Sequence, residues 1–256
     1  MNKVLFKDLG LKVAFKDAWD YQEQLLQENL SRKSWNREAM ALALSRTENL
    51  IAGIQNENST FEIKEIPNYL LFVEHSPVYT FGKSGDASHV LISDKEREDK
   101  GIEFFKINRG GDITFHGPGQ LVAYPILDLE SFKTDIGWYL RGLEEVIILM
   151  LDEYGLKGMR SQGETGVWLD ADIAGKERKI CAMGIRCSRW ITMHGFAFNV
   201  NTDLDYFSHI IPCGILNKQV TSLQKELGAY VSLKEVKEKV QRNFERVFDV
   251  TLNDFA

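Results

Sequence analysis

The chain has 256 residues, 44% hydrophobic and 27% charged, which excludes a disordered or collagen-like polymer and suits one domain with a full-sized core. Its 31 basic and 37 acidic residues sum to −6, so the total predicts neither a nucleic-acid nor an anionic-membrane surface. Three cysteines, Cys181, Cys187 and Cys213, cannot all pair and point to free thiols in a reducing cytoplasm. Lysines and aspartates interrupt the apolar residues of 1–20, unlike a signal peptide, and the longest strongly apolar stretch, 146–151, is too short to cross a bilayer.

In chain order, Phe15, Trp19, Leu25, Leu26 and Leu30 fall at helical spacing and predict a helix over 15–30. A polar insertion follows at 31–61, with a short helix near 40–44 and a loop at 56–60. Apolar runs at 69–73 and 78–81 predict two strands across a turn, and 84–100 reads as a charged loop. Strands are expected at 102–107 and 121–129, the second at an edge or a bulge because it contains Pro125. A helix over 135–154 is capped by Thr134 and closed by Gly155. Strands at 166–169 and 179–187 flank a polar turn with Gly175, and 191–200 reads as another strand. Ser232 and Glu235 form a capping box before the apolar stripe Leu233, Val236, Val240, Phe244 and Val247, predicting a C-terminal helix over about 232–249. With no βαβ repeat, the pattern is that of a single α+β domain spanning 1–256.

The stretch 109–120 concentrates the chemistry: Arg109, Gly110, Gly111, Asp112, Ile113, Thr114, Phe115, His116, Gly117, Pro118, Gly119 and Gln120. Its glycines let backbone N–H groups approach a ligand, but it matches neither the phosphate loop nor the dinucleotide fingerprint. A glycine-rich turn around a satisfied histidine explains it equally well. Cys181, Cys187, His194 and Cys213, with five, six and eighteen residues between them, match no common zinc arrangement. A Cys–His nucleophile and three buried, inert thiols both remain open. Cys213, between Pro212 and Gly214, belongs on a turn. Cys181 and Cys187 belong on a strand, on the same pleat face as Lys179. An ammonium beside a thiol favours the thiolate, but spacing does not say which cysteine Lys179 meets.

Three segments together resemble the lipoyl(octanoyl) transferase family. The first is 109–120, which follows the family's Arg-Gly-Gly, Thr-aromatic-His and Gly-Pro-Gly-Gln pattern. The second is Gly166, Val167 and Trp168 followed by 179–186, and the third runs from His194 through Asn201 to Pro212-Cys213-Gly214. The weaker likeness includes 71–75 and 221–223 and covers nearly the whole chain. One departure is Phe115, where many members carry tyrosine.

The resemblance implies a mixed, mostly antiparallel sheet flanked by helices, as in biotin and lipoate protein ligases. It implies octanoyl (or lipoyl) transfer from acyl carrier protein to a specific lysine of lipoyl domains in 2-oxoacid dehydrogenase complexes or the glycine-cleavage H protein. By the same resemblance Cys213 is the acyl-thioester nucleophile and Lys179 lowers its pKa. The acyl pocket falls on Arg109, Gly110, Gly111, Asp112, Ile113, Thr114, Phe115 and His116, with Ala182, Met183, Gly184, Gly195, Phe196 and Ala197. Transfer between thioesters and then to an amine needs no ATP, cofactor or metal. An acidic carrier protein would need a local basic patch, for which Arg109, Lys176, Arg178, Arg186 and Arg189 are candidates. The competing readings are an ATP-dependent ligase of the same fold, a carrier-protein thioesterase and a catalytically silent carrier-binding module.

Overall fold

The computed structural model describes residues 2–51, 62–211 and 219–255. Its elements are β1 (Asn2–Asp8), α1 (Phe15–Ile51), β2 (Asn68–Val73), β3 (Val78–Phe81), α2 (Asp94–Asp99), β4 (Glu103–Lys106), β5 (Ile113–His116) and β6 (Gln120–Ile126). They continue as α3 (Ile136–Asp152), β7 (Val167–Leu169), β8 (Arg178–Ser188), β9 (Ile191–Asn199), β10 (Gln219–Val220), α4 (Leu223–Leu227), α5 (Leu233–Phe248) and β11 (Val250–Asp254).

The large sheet runs β10-β8-β9-β6-β2-β1-β11, with β7 also on β8, and a small sheet runs β4-β3-β5. The centre of the large sheet, β8-β9-β6-β2, is antiparallel, while β1 pairs in parallel with both β2 and β11. The expected mixed α+β architecture is present. Helices α3 and α5 pack one face through Leu143, Ile147, Val240 and Phe244, and α1 packs the other through Ala18, Leu25 and Leu26.

The polar stretch after residue 30 mostly continues α1, through Ile51. Its polarity has a partner. Asn29 donates to Pro67 O, Arg32 to Glu65 O, Trp35 to Glu62 O and Asn36 to Lys64 O, at 2.8–3.1 Å. Spaced near helical periodicity, these donors satisfy the carbonyls of the returning chain 62–67. The loop expected at 56–60 lies outside the described residues.

Other differences have local causes. Strands β2 and β3 do not pair with each other but enter different sheets. The charged loop contains α2, started by the capping box of Ser93 and Glu96. Asp135, not Thr134, caps α3 by accepting from Trp138 N at 2.9 Å. Ser232 caps α5, but Glu235 instead accepts from Tyr154 Oη, so the box is half made.

Pro125 sits in the interior strand β6, not at an edge. Proline offers no N–H to the ladder, and the β6–β9 pairing stops at Ala123 and Phe196. Opposite, His194 takes φ +61° and donates its amide to Gln22 Oε1 of α1 at 3.1 Å. Thr192 resumes the contact, exchanging hydrogen bonds with Leu127.

Candidate active site

A cavity of about 460 Å³ lies between the small sheet and the face of the large sheet formed by β6, β8 and β9, with Phe15 of α1 at one side. Of the residues expected to form the pocket, Arg109, Gly111, Asp112, Thr114, His116, Ala182, Met183, Gly184, Gly195, Phe196 and Ala197 line it. Lys179 lines it as well. Ile113 and Phe115 do not, because alternate residues of β5 face the other way, into the core with Tyr79 and Ile210. Phe115 stacks on Tyr206 with ring centroids 4.4 Å apart, which explains how an unadorned ring serves there. Gly110 does not line the cavity either; its N–H donates to Ile185 O at 2.9 Å, tying the loop to β8.

The strand β8 carries a one-residue bulge. Trp168 pairs with Lys179 but Val167 pairs with Cys181, leaving Ile180 extra. The bulge breaks the alternation that put Lys179 and Cys181 on one face. Lys179 joins Ala182 and Gly184 on the cavity wall, its Nζ 4.5 Å from the Trp168 ring centroid, while Cys181 is fully buried in the core. Burial pushes the Cys181 thiol well above its ordinary pKa, and Cys187 is also raised by burial. Neither cysteine lines the cavity, and Cys213 lies outside the described residues.

The described chain stops at Ile211 before Cys213 and resumes at Gln219 after it, and both arms bond to residues of the cavity wall. Ile211 donates its N–H to His89 O at 2.9 Å, and His89 lines the cavity. On the far side, β10 runs parallel to β8 with Val220 opposite Lys179, and Thr221 N donates to Lys179 O at 2.9 Å.

Small residues shape the floor. A Cβ at Gly184 would stand 2.8 Å from Gly110 O, and one at Gly195 only 2.2 Å from Ala123 O. Arg109 is buried along this floor, donating to Thr80 O at 2.7 Å and Thr80 Oγ1 at 3.0 Å.

Sequence reasoning missed much of the rest of the wall: Phe15, Ser84, His89, Val122, Tyr124, Thr165 and His194 among others. These come from elements far apart in the chain. The one local signal was the histidine content. Gln120 donates to Phe115 O and Asn199 Oδ1, so its Oε1 accepts from His116 Nδ1 at 2.9 Å. Tyr124 Oη donates to His75 Nε2 at 2.7 Å. Burial lowers the pKa of His116 to about 3, aided by the nearby His75, and that of His75 to about 4. His194 is lowered to about 3 by burial, then by Arg109 and Arg186. All three rings are neutral at pH 7.

The expected basic patch is largely engaged within the chain. Arg109 is buried, Arg178 pairs with Asp170 and Glu226, and Arg186 pairs with Glu23 at 2.6 Å. Lys176 and Arg189 are exposed.

The sheet order and the cavity define a lipoate-ligase type of catalytic core. Two solved structures share it across the chain: a bi-partite lipoate protein ligase from Thermoplasma acidophilum (TM-score 0.65, 17% identity, 100% of this chain and 87% of that one) and a lipoate-protein ligase A bound with ATP (TM-score 0.62, 15% identity, 99% and 88%). Residues 42–245 match the model of the lipoyl protein ligase A/B catalytic domain, and the chain belongs to that family. Within it, curated relatives named octanoyltransferase include those of Flavobacterium psychrophilum (55% identical over 98% of this chain and 100% of the relative) and Cytophaga hutchinsonii (45%, 99% and 96%).

Proposed function

We propose that this chain is an octanoyltransferase of protein lipoylation, moving an octanoyl group from acyl carrier protein, through a thioester on Cys213, to a lysine of a lipoyl domain. The observation that carries this reading is the bulge at Ile180, which turns Lys179 into a cavity walled by small residues, in a chain 55% identical to a named octanoyltransferase. The anchoring of Ile211 on His89 supports Cys213 as the nucleophile, since a residue two positions along a chain lies within about 7 Å, and Thr221 ties the returning chain to Lys179. A lipoyl-domain acceptor is supported by family membership.

Lys179, as an ammonium, favours the Cys213 thiolate. The thiolate attacks the donor carbonyl, and the departing carrier thiol takes a proton from Lys179. The acceptor lysine's amine then attacks the enzyme thioester, making an amide downhill from a thioester and releasing the Cys213 sulfur. Gly111 lines the cavity, and its backbone N–H suits a developing oxyanion. Burying the acyl chain's six methylenes contributes about 5 kcal/mol at about 0.8 each. No described helix is long and apolar enough to cross a membrane. The reducing cytoplasm is the setting that keeps such a thiol free.

The test is intact mass after mixing with octanoyl-acyl carrier protein without ATP, beside Cys213→Ser. One octanoyl group should map to Cys213, be absent in the variant, and vanish on adding lipoyl domain. An unmodified enzyme that acylates the lipoyl domain only with free acid and ATP would make it a ligase. Release of the acyl group to water at the same rate with and without lipoyl domain would make it a thioesterase.

A further inference from the structure

The proton count of the proposed second half-reaction asks for one group more than the Cys213–Lys179 pair. An acceptor lysine enters as an ammonium and leaves as an amide N–H, so it sheds two protons. Lys179, neutral after protonating the carrier thiol, takes one of them and returns to an ammonium beside the regenerated thiolate. The other needs a second base.

The cavity offers an oriented one. His89 ends a single helical turn, Ala87–His89, capped by Asp86. Its Nδ1–H donates to Asp112 Oδ2, while Asp112 Oδ1 accepts from the Asp86 N–H at 3.2 Å. Asp112 is 7% exposed, so the carboxylate is held in place and fixes the imidazole tautomer. The Nε2 lone pair is thereby left as the acceptor, with no hydrogen-bond partner among the described residues. The His89 side chain is 22% exposed, so it meets both the cavity and water. The other cavity histidines are poor candidates: His116 spends its Nδ1–H on Gln120, and burial keeps it and His194 from holding a proton near neutrality.

We propose that His89, oriented by Asp112, is the general base that takes the second proton from the acceptor amine as the amide forms and passes it to water. The proposal rests on the transferase reading. The N–C bond forms, the C–S bond to Cys213 breaks, one proton ends on Lys179 and the other on His89 Nε2.

The test separates the half-reactions by rapid mixing: loading from octanoyl-acyl carrier protein, then transfer from pre-octanoylated enzyme to lipoyl domain. In His89→Gln, transfer should slow about 100-fold or more relative to loading. Hydroxylamine, already neutral near pH 7, should largely escape that loss as an alternative acceptor. Imidazole in the buffer should restore transfer in His89→Ala. Asp112→Asn, which still accepts from the Asp86 N–H, should show a smaller loss, about 10-fold, in the same half-reaction. Equal slowing of both half-reactions, equal slowing with hydroxylamine, or a transfer defect confined to Glu164→Gln on the neighbouring wall would overturn the assignment to His89. A wild-type protein that never carries octanoyl would instead overturn the transferase reading itself.

Discussion

Gly184 stands where the floor of the cavity meets the loop 109–111, with room for a hydrogen and little else. An added methyl would lie 2.8 Å from Gly110 O and 3.2 Å from Arg109 Cδ. The loop must then retreat from β8, stretching the Gly110 N–H bond to Ile185 O and moving Arg109 off Thr80. Gly184→Ala is expected to cost about 1–3 kcal/mol of stability in urea unfolding and to lower kcat/KM for the octanoyl donor by about tenfold or more. The residues of this loop were legible because they are contiguous and of unusual type. Their directions were not, since Ile113 and Phe115 belong to a strand that shows only alternate side chains to the cavity. His89 was invisible as a site residue because nothing near it in sequence marks a cavity that other segments build. His194, weighed from sequence only as a zinc ligand, was passed over although its neighbours 195–197 were expected in the pocket.

Among the elements, α3 does more than cover the sheet. Its fully buried Glu144 accepts from Arg141 Nη1, from Arg160 Nε at 3.0 Å and from Gly166 N at 3.1 Å. These contacts bracket residues 163–165, which form part of the cavity wall. Glu144→Ala strands the Gly166 amide and takes a carboxylate partner from Arg141 and Arg160, although Arg160 keeps Glu145 at 2.6 Å. Because the arginines are partly exposed and can turn to water, the expected loss is about 2–4 kcal/mol, read from the shift of the denaturation midpoint. Glu144→Gln should recover much of it, since the amide oxygen still accepts from Gly166. Helix α3 was readable from its apolar periodicity, and α5 likewise. The extent of α1 was not, because beyond residue 30 its contacts are polar bonds to a returning chain, which leave no hydrophobic stripe.

At the scale of the molecule, three neutral histidines, His75, His116 and His194, are buried around one cavity. In the unfolded chain each titrates near 6.5, whereas burial holds the folded values at about 4, 3 and 3. Between those limits the unfolded state binds more protons, so stability is full above pH 6.5 and falls as pH drops. The slope approaches about 4 kcal/mol per pH unit for three such groups around pH 5. Thermal unfolding should therefore show a melting temperature that declines steeply below pH 6, with a shallower decline in His75→Gln. A flat profile from pH 7 to 5 would mean these rings are not held neutral. The sheet's edge was equally hidden from sequence: β1 and β11 come from opposite ends of the chain and pair with each other, a juxtaposition no local pattern announces.

The extra residue in β8 is taken up by a bulge, so the backbone rather than a side chain is responsible for where the lysine points. Replacing Ile180 by another apolar residue leaves the bulge intact. Flattening the bulge with Ile180 still in place would restore strict alternation, turn the ammonium of Lys179 toward the core that now holds Cys181 and send Ile180 to the wall. Losing Ile180 would instead leave Lys179 and Cys181 adjacent and on opposite faces, as they are now. The strand can thus drift letter by letter at Ile180, so long as the backbone keeps the kink that sets Lys179 on the side of Ala182.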